Sequence, residues 1–352
     1  MKTFDLSTQI RNLYPSMADI STQASSLLFN NSSVEPSTVV KNYAYFSAEA
    51  DIFPLLVALL IIMTNGWVIL LVFKHKILRT ITNYILCSLA FSDLLTGLLS
   101  IPLFVTCNIV RTAAPCLTSD VLLKFTSIST VAHLLAVTMD RYLAIMRSLR
   151  YSSIMTKGRA FFSLGFIWTT SAILSLIHFS WTNPTTHDVK SKPTQTELDN
   201  EVRYDVFCLI AYFIVPLLFM IYAYGHIFYQ VVRQRKIMTQ NNQPGYPGDK
   251  RPIDKHKWKA ALIFLVMLLV YVVCWLPYFA LRLHYNFVDD TVSIAFGVAY
   301  LIVYQRFCTS LFNPLLYILG KQDFRKVILS RFERRPQRSF AGTSSLLRTT
   351  DV

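Results

Sequence analysis

Charge is what this chain lacks. Asp, Glu, Lys and Arg make up only 15% of its 352 residues, while hydrophobic residues make up 53% and the mean hydropathy is +0.41. Soluble domains carry about 25% charged residues, so a water-exposed globule is excluded. Acidic residues are the scarcer sign, 20 against 34 basic ones. Met1 to Lys41 lacks a continuous apolar core, so no cleaved secretory signal is read there and the first apolar run serves as its own insertion signal. Histidine offers no metal or nucleophile constellation for an intramembrane enzyme: the seven are scattered, and only His133 lies deep in an apolar run. A lone buried histidine is more often structural. The two halves of the chain do not resemble each other, which argues against a transporter of inverted repeats or a pore with repeated ionisable residues.

What the chain has instead is a series of apolar runs, at about 52–73, 81–106, 114–142, 160–181, 205–231, 258–282 and 291–319. Each is near the roughly 20 residues a helix needs to cross hydrocarbon with every backbone amide paired internally. The fold class that follows is an all-α membrane protein, a seven-transmembrane helix bundle over 51–320. An N-terminal tail at 1–50 precedes it; a short amphipathic cytoplasmic helix at 321–332 and a disordered tail at 333–352 follow it. Lys74, Lys76, Arg79, Arg147, Arg150, Arg233, Arg235 and Lys236 sit in the loops after the odd spans, whereas Asp188, Glu197, Asp199, Glu201, Asp289 and Asp290 sit in the opposite loops. By the positive-inside rule the basic loops are cytoplasmic and the N-terminus is outside, a multi-pass orientation. The basic excess therefore faces anionic lipid and protein partners in the lipid bilayer rather than nucleic acid. Asn30 and Asn31 each begin a glycosylation sequon on the outer tail.

Polar and kinking residues recur one set per span. Asn65, Asp93, Arg141, Trp168, Pro216, Trp275 with Pro277, and Asn313 with Pro314 mark the seven in order. They lie in the segments SLAFSDLL, MDRYLAI, CWLPYF and NPLLY followed by DFR. This set resembles the rhodopsin-like (class A) G-protein-coupled receptors over roughly residues 50–330. The resemblance implies a plasma-membrane receptor, not an enzyme, that binds an extracellular ligand between its helices and opens a cytoplasmic cleft to a heterotrimeric G protein. It implies no cofactor, apart from an allosteric sodium ion at Asp93 with Thr130, Thr309, Ser310 and Asn313 as polar neighbours. On physical grounds alone, a carboxylate in mid-span must face the interior and find a partner or an ion; a protonated, hydrogen-bonded Asp93 is the alternative.

The same resemblance assigns Asp140, Arg141, Tyr142, Tyr224, Asn313, Pro314 and Tyr317 to G-protein activation. Val131, Pro216, Tyr271, Trp275 and Pro277 take the positions of a packing relay, with Tyr271 where phenylalanine is commoner. Pro277 and Pro314 each delete a helix hydrogen bond and permit a pivot. Plain core packing is the competing reading of the aromatics. Two departures stand out. Lys257 occupies the place of the acidic residue that often locks the motif arginine, so appreciable basal signalling is expected. The loop from Trp181 to Tyr204 has no cysteine, so Cys116, at the top of the third span, pairs with Cys208 or with Cys107, Cys208 being preferred. No cysteine follows Cys308, which excludes palmitoylation behind the amphipathic helix.

The ligand is less legible. The position of the amine-binding aspartate, eighteen residues before Arg141, is Leu123, and that of the retinal-binding lysine is Phe307. Lys124 and Arg306 stand beside them, within a pocket that also includes Ser127, Trp275 and Tyr278. Buried cations need partners: Asp120, one turn above, can serve Lys124, while Arg306 has no obvious mate. A small acidic molecule or a peptide with a free C-terminus is the favoured ligand, an amine bound without the usual aspartate the alternative. In the tail, Ser339, Thr343, Ser344, Ser345, Thr349 and Thr350 resemble sites for receptor kinases and arrestin, and Thr350-Asp351-Val352 fits a PDZ-domain partner.

Overall fold

The computed structural model describes residues 48–110, 112–182, 194–241, 253–287 and 296–333. The sequons at Asn30 and Asn31, the loop around Pro244, the tail beyond 333 and the side chain of Lys257 lie outside the described residues. Helix α1 spans Ala48–Lys74, α2 Ile81–Val110, α3 Ala113–Met146 and α4 Lys157–Ser180. A single turn at Tyr151–Ile154 joins α3 to α4. Helix α5 runs from Gln195–Leu209 through a π turn at Ile210–Ile214 into Val215–Asn241. Helices α6 (Ile253–Phe287), α7 (Phe296–Gly320) and α8 (Gln322–Glu333) complete the chain.

Among the described residues, α1 to α6 each contain a segment long and apolar enough to cross a membrane. Helix α7, 25 residues long, carries Gln305, Arg306, Ser310 and Asn313 among its apolar residues. The bundle is apolar outside and polar within. Phe73, Phe162, Phe166 and Leu218 are all more than 60% exposed, whereas Asn65, Asp93, Ser129, His133 and Asp140 are fully buried. In water that pattern would be costly, and in lipid it is the favourable one, because tails solvate the apolar faces and buried polar groups pair with each other.

Helix α3 is the central element, packed on α2, α4 and α5, and α7 closes the ring between α6 and α1. Small residues allow the close contacts. Gly97 lies in a π turn of α2 at Thr96–Ser100, where an added Cβ would stand 3.0 Å from the Ala58 carbonyl oxygen and 3.0 Å from Ile62 of α1. His133 is structural: Ser88 lies 2.8 Å from its Nε2, the Ser129 carbonyl accepts from Nδ1 at 2.7 Å, and Trp168 Nε1 donates to the same Ser88 at 3.0 Å.

Helix α5 begins about ten residues earlier than its hydropathy indicates. Thr194 and Glu197 form a capping box, the Thr194 hydroxyl accepting from the Glu197 N–H and the Glu197 carboxylate accepting from the Thr194 N–H. That start draws Glu197, Asp199 and Glu201 onto a helix rather than into a loop.

Candidate functional site

At the end of the bundle that holds Asp120, charges gather from four helices. Lys124 Nζ lies 2.8 Å from Asp120 on its own helix and 3.1 Å from Glu201 of α5. His178, in the last turn of α4, places Nδ1 3.1 Å from Lys124 Nζ and 3.2 Å from Glu201 Oε2. Arg282 of α6 donates to Glu201 at 3.2 Å and to Asp205 at 2.8 Å, and Trp181 Nε1 reaches Glu201 at 3.3 Å. Asp120, His178 and Glu201 are spaced as metal donors might be. The Lys124 ammonium already occupies the point on which they converge, so the arrangement is an internal ion-pair network.

Beneath this network opens a cleft between α3, α5, α6 and α7, with an empty volume of ≈ 630 Å³ including its open mouth. Lys124, Ser127, Tyr204, Cys208, Trp275, Tyr278, Arg282 and Arg306 line it. A second cavity of ≈ 270 Å³ continues inward past Leu123, Ser127, Arg306 and Phe307 to Thr130, Thr309 and Ser310. Arg306 borders both and is 7% exposed. Its guanidinium carbon sits 4.4 Å from the Tyr278 ring centre, 5.4 Å from Phe307 and 5.9 Å from Trp275. Among the described residues no carboxylate pairs with it. Aromatic faces attract a cation but leave its N–H donors without acceptors.

Behind the Thr130 and Ser310 hydroxyls of the inner cavity lies Asp93, which accepts from Ser310 at 2.7 Å, Asn313 at 3.1 Å and Thr130 at 3.4 Å. The Thr309 hydroxyl is buried on the same cavity wall, beside the Cys274 thiol.

Three prolines interrupt α5, α6 and α7. A proline has no N–H to return to the carbonyl four residues back, and in each case a neighbouring helix supplies the donor. Tyr271 Oη of α6 donates to Tyr212 O, one turn before Pro216, at 2.7 Å. Gln305 Nε2 of α7 donates to Val273 O, one turn before Pro277, at 2.9 Å. Asn65 Nδ2 of α1 donates to Ser310 O, one turn before Pro314, at 3.0 Å. Tyr271 is fully buried, with Trp275 6.3 Å above it and Val131 in the same core cluster; Pro216 is buried in α5.

At the opposite end, Arg141 is ion-paired to Asp140 and bonded to Thr82. Asp140 also accepts from Thr82 at 2.8 Å and from the Tyr151 hydroxyl at 2.6 Å. Tyr142 Oη lies 3.1 Å from His226 Nδ1, and Tyr224 Oη lies 2.8 Å from Thr138. Tyr317 is buried against Phe324 of α8, its ring 6.1 Å away. Lys321, just beyond α7, is bonded to Asn83 of α2.

Comparison with known proteins decides the family. The family profile described as 7 transmembrane receptor (rhodopsin family) matches residues 64–317. This chain belongs to that family. It is similar to the histamine H2 receptor of Cavia porcellus, 28% identical over 81% of this chain and 79% of the relative. It is also similar to the adenosine receptor A2a of Homo sapiens, 30% identical over 83% and 75%, and to the octopamine receptor beta-2R of Chilo suppressalis, 28% identical over 77% and 76%. It is therefore a G-protein-coupled receptor, a multi-pass membrane protein that answers an extracellular ligand and acts on a G protein.

The receptor's disulfide corrects the preferred pairing. Cys116 is bonded to Cys107, Cα to Cα 4.6 Å, across the tight turn between α2 and α3. Cys208 is a free thiol on the cleft wall. Leu123 and Phe307 do line the inner cavity, as the positions left vacant by the amine and retinal chemistries, and Asp120 is the partner of Lys124. Sequence reading missed Arg282, Asp205, His178 and Gln305. Arg282 and Asp205 were visible as charges at span ends; nothing in the sequence singled out Gln305.

Proposed function

We propose that this receptor recognises a small extracellular ligand bearing an anionic group, bound in the cleft between α3, α5, α6 and α7 with Arg306 as its anchor. The observation that carries the reading is Arg306 itself: a buried guanidinium bordered by three aromatic rings, facing open volume, without a carboxylate partner among the described residues. A ligand carboxylate, sulfate or phosphate supplies the acceptors its N–H groups lack, in a setting that excludes water. Ser127 is a second polar contact on the same wall. The named relatives include receptors for amines, yet the amine-pairing position here is Leu123 and Lys124 is committed to Asp120 and Glu201. An amine ligand would leave Arg306 idle.

Activation then follows from contact. The ligand bears on Arg306, Trp275 and Tyr278; Trp275 bears on Tyr271; and the half of α6 below Pro277 turns outward, uncovering Arg141 for the G protein while Tyr224 and Tyr317 swing in. The distribution of Lys and Arg supports a plasma-membrane orientation with the N-terminus outside. Asn30 and Asn31 would then carry glycans, and the tail would meet receptor kinases, arrestin and a PDZ domain. Asp93, Thr130, Thr309, Ser310 and Asn313 fit a sodium ion, which they would hold in the resting state.

A screen of carboxylates, sulfates and phosphates read through several G-protein reporters supplies the agonist. Replacing Arg306 by Ala removes one partner of a buried charge pair and should lower agonist potency by about 30-fold or more, with Lys partly restoring it. Unchanged potency in the alanine variant sinks the anionic reading.

A further inference from the structure

The donors that answer the three interrupted carbonyls differ in what they could do. Asn65 joins α1 to α7, and the inference concerns the other two. The Tyr271 and Gln305 bonds lie on either side of α6, the helix whose lower half moves in the activation proposed above, on which this inference rests. Tyr271 belongs to that half and reaches out to α5. Val273 belongs to it as well, and Gln305 reaches in from α7 to take its carbonyl. Both bonds end at carbonyls that prolines leave without their usual N–H donor.

Their surroundings make the bonds costly to lose. Tyr271 is fully buried, and the Val273 side chain is 57% exposed on the outer face of α6, which in this family faces lipid. The lipid-facing setting of the Val273 carbonyl offers no water to replace a broken bond, and an unpaired carbonyl in hydrocarbon is heavily penalised; the Tyr212 carbonyl is part-buried at the foot of the cleft. The choice of residue agrees. Phenylalanine would fill the space of Tyr271 equally well but could not donate, and a glutamine on a half-exposed face of α7 would itself be unfavourable in lipid without the Val273 carbonyl to bond.

We infer that Tyr271 and Gln305 are positioning residues for receptor activation. They clasp the lower half of α6 to α5 and α7 through proline-vacated carbonyls and so hold the bundle closed at rest. Outward movement of α6 carries the Tyr271 hydroxyl away from Tyr212 and the Val273 carbonyl away from Gln305. Both bonds must therefore open, and their loss opposes activation. The clasps lie in mid-membrane, apart from the Arg141 region. Their role is independent of what the ligand is.

The test reads ligand-free guanine-nucleotide exchange per receptor, alongside thermal unfolding, on the purified full-length chain. Tyr271→Phe removes only the hydroxyl. It should raise the active-to-resting ratio roughly threefold to tenfold, the worth of one hydrogen bond, and Gln305→Leu should do the same. The decisive arm is a double-mutant cycle. Pro277→Ala restores an N–H that can serve the Val273 carbonyl from within the helix, so Gln305→Leu should cost stability and raise basal exchange in the parent but do neither in the Pro277→Ala background. Pro216→Ala should likewise cancel Tyr271→Phe. If both single variants lower the melting temperature while basal exchange per folded receptor stays at the parent level, the residues are merely structural and the inference falls. It falls equally if Gln305→Leu has the same effect with and without Pro277. Should Pro277→Ala not fold, the Tyr271→Phe measurement, a one-atom change, decides alone.

Discussion

Lys321 shows how a single residue can be misjudged from sequence. It reads as one more cytoplasmic cation, yet it turns inward to Asn83, near Arg141. Burial first, and the Arg141 charge second, push its ammonium down from the ordinary 10.5 to about 7. An unfolded lysine keeps its proton throughout the interval between those two values, so the unfolded state binds more protons there and stability must rise as pH climbs from 7. Below 7 both states are protonated and the contribution is flat. Thermal unfolding of the purified receptor should therefore show a melting temperature that increases between about pH 7 and pH 9, with that increment missing in Lys321→Met; equal slopes in the two proteins would count against the buried position. Motif spacing was enough to place Leu123, Ser127, Trp275, Tyr278, Arg306 and Phe307 on the walls of the two cavities, because spacing along a helix fixes which residues face inward. It could not see Lys321, Arg282 or Gln305, whose importance comes from partners 238, 77 to 81 and 32 positions away, across the bundle rather than along the chain.

For the helices, hydropathy located α1 to α6 but not their register. The π turns at Thr96–Ser100 and Ile210–Ile214 each precede a proline, Pro102 and Pro216, and re-aim the half-helix beyond it. An apolar run looks the same with or without such a turn, so the bulges were not legible. The early start of α5 was legible in principle, since Thr194 and Glu197 have the spacing of a capping box; the acidic residues after it were mistaken for loop because a helix outside the hydrocarbon has no hydropathy signature. Gly97 offers the sharpest test of element packing. Its missing Cβ lets α2 approach the backbone of α1, with Ala58 O and Ile62 both 3.0 Å from where that atom would be. Gly97→Ala should destabilise the receptor by about 1–3 kcal/mol through overpacking, despite alanine's better helix propensity. A melting temperature at or above the parent value would show that the two helices separate freely at this point.

Across the whole molecule, the bundle divides into an end at Asp120 held by charge, a middle held by hydrogen bonds at prolines, and an end at Arg141 where Asp140 serves Arg141, Thr82 and Tyr151. In the sequence, Lys257 stands at the α6 position where the resemblance expects an acidic residue. Lys257→Glu should supply one and lower ligand-independent reporter output by about fivefold, the worth of roughly 1 kcal/mol; an unchanged baseline would mean that the restraint lies elsewhere in the bundle. The end at Asp120 has its own mechanical consequence. Its disulfide closes a ring of only nine residues of sequence separation and ties α2 to α3 alone. Helices α4, α5 and α6 are moored to that pair by Lys124, His178, Glu201 and Arg282 instead. Ionic strength, which weakens such moorings where water reaches them, will slacken this rim, whereas a reductant will leave its span from α3 to α6 as taut as before.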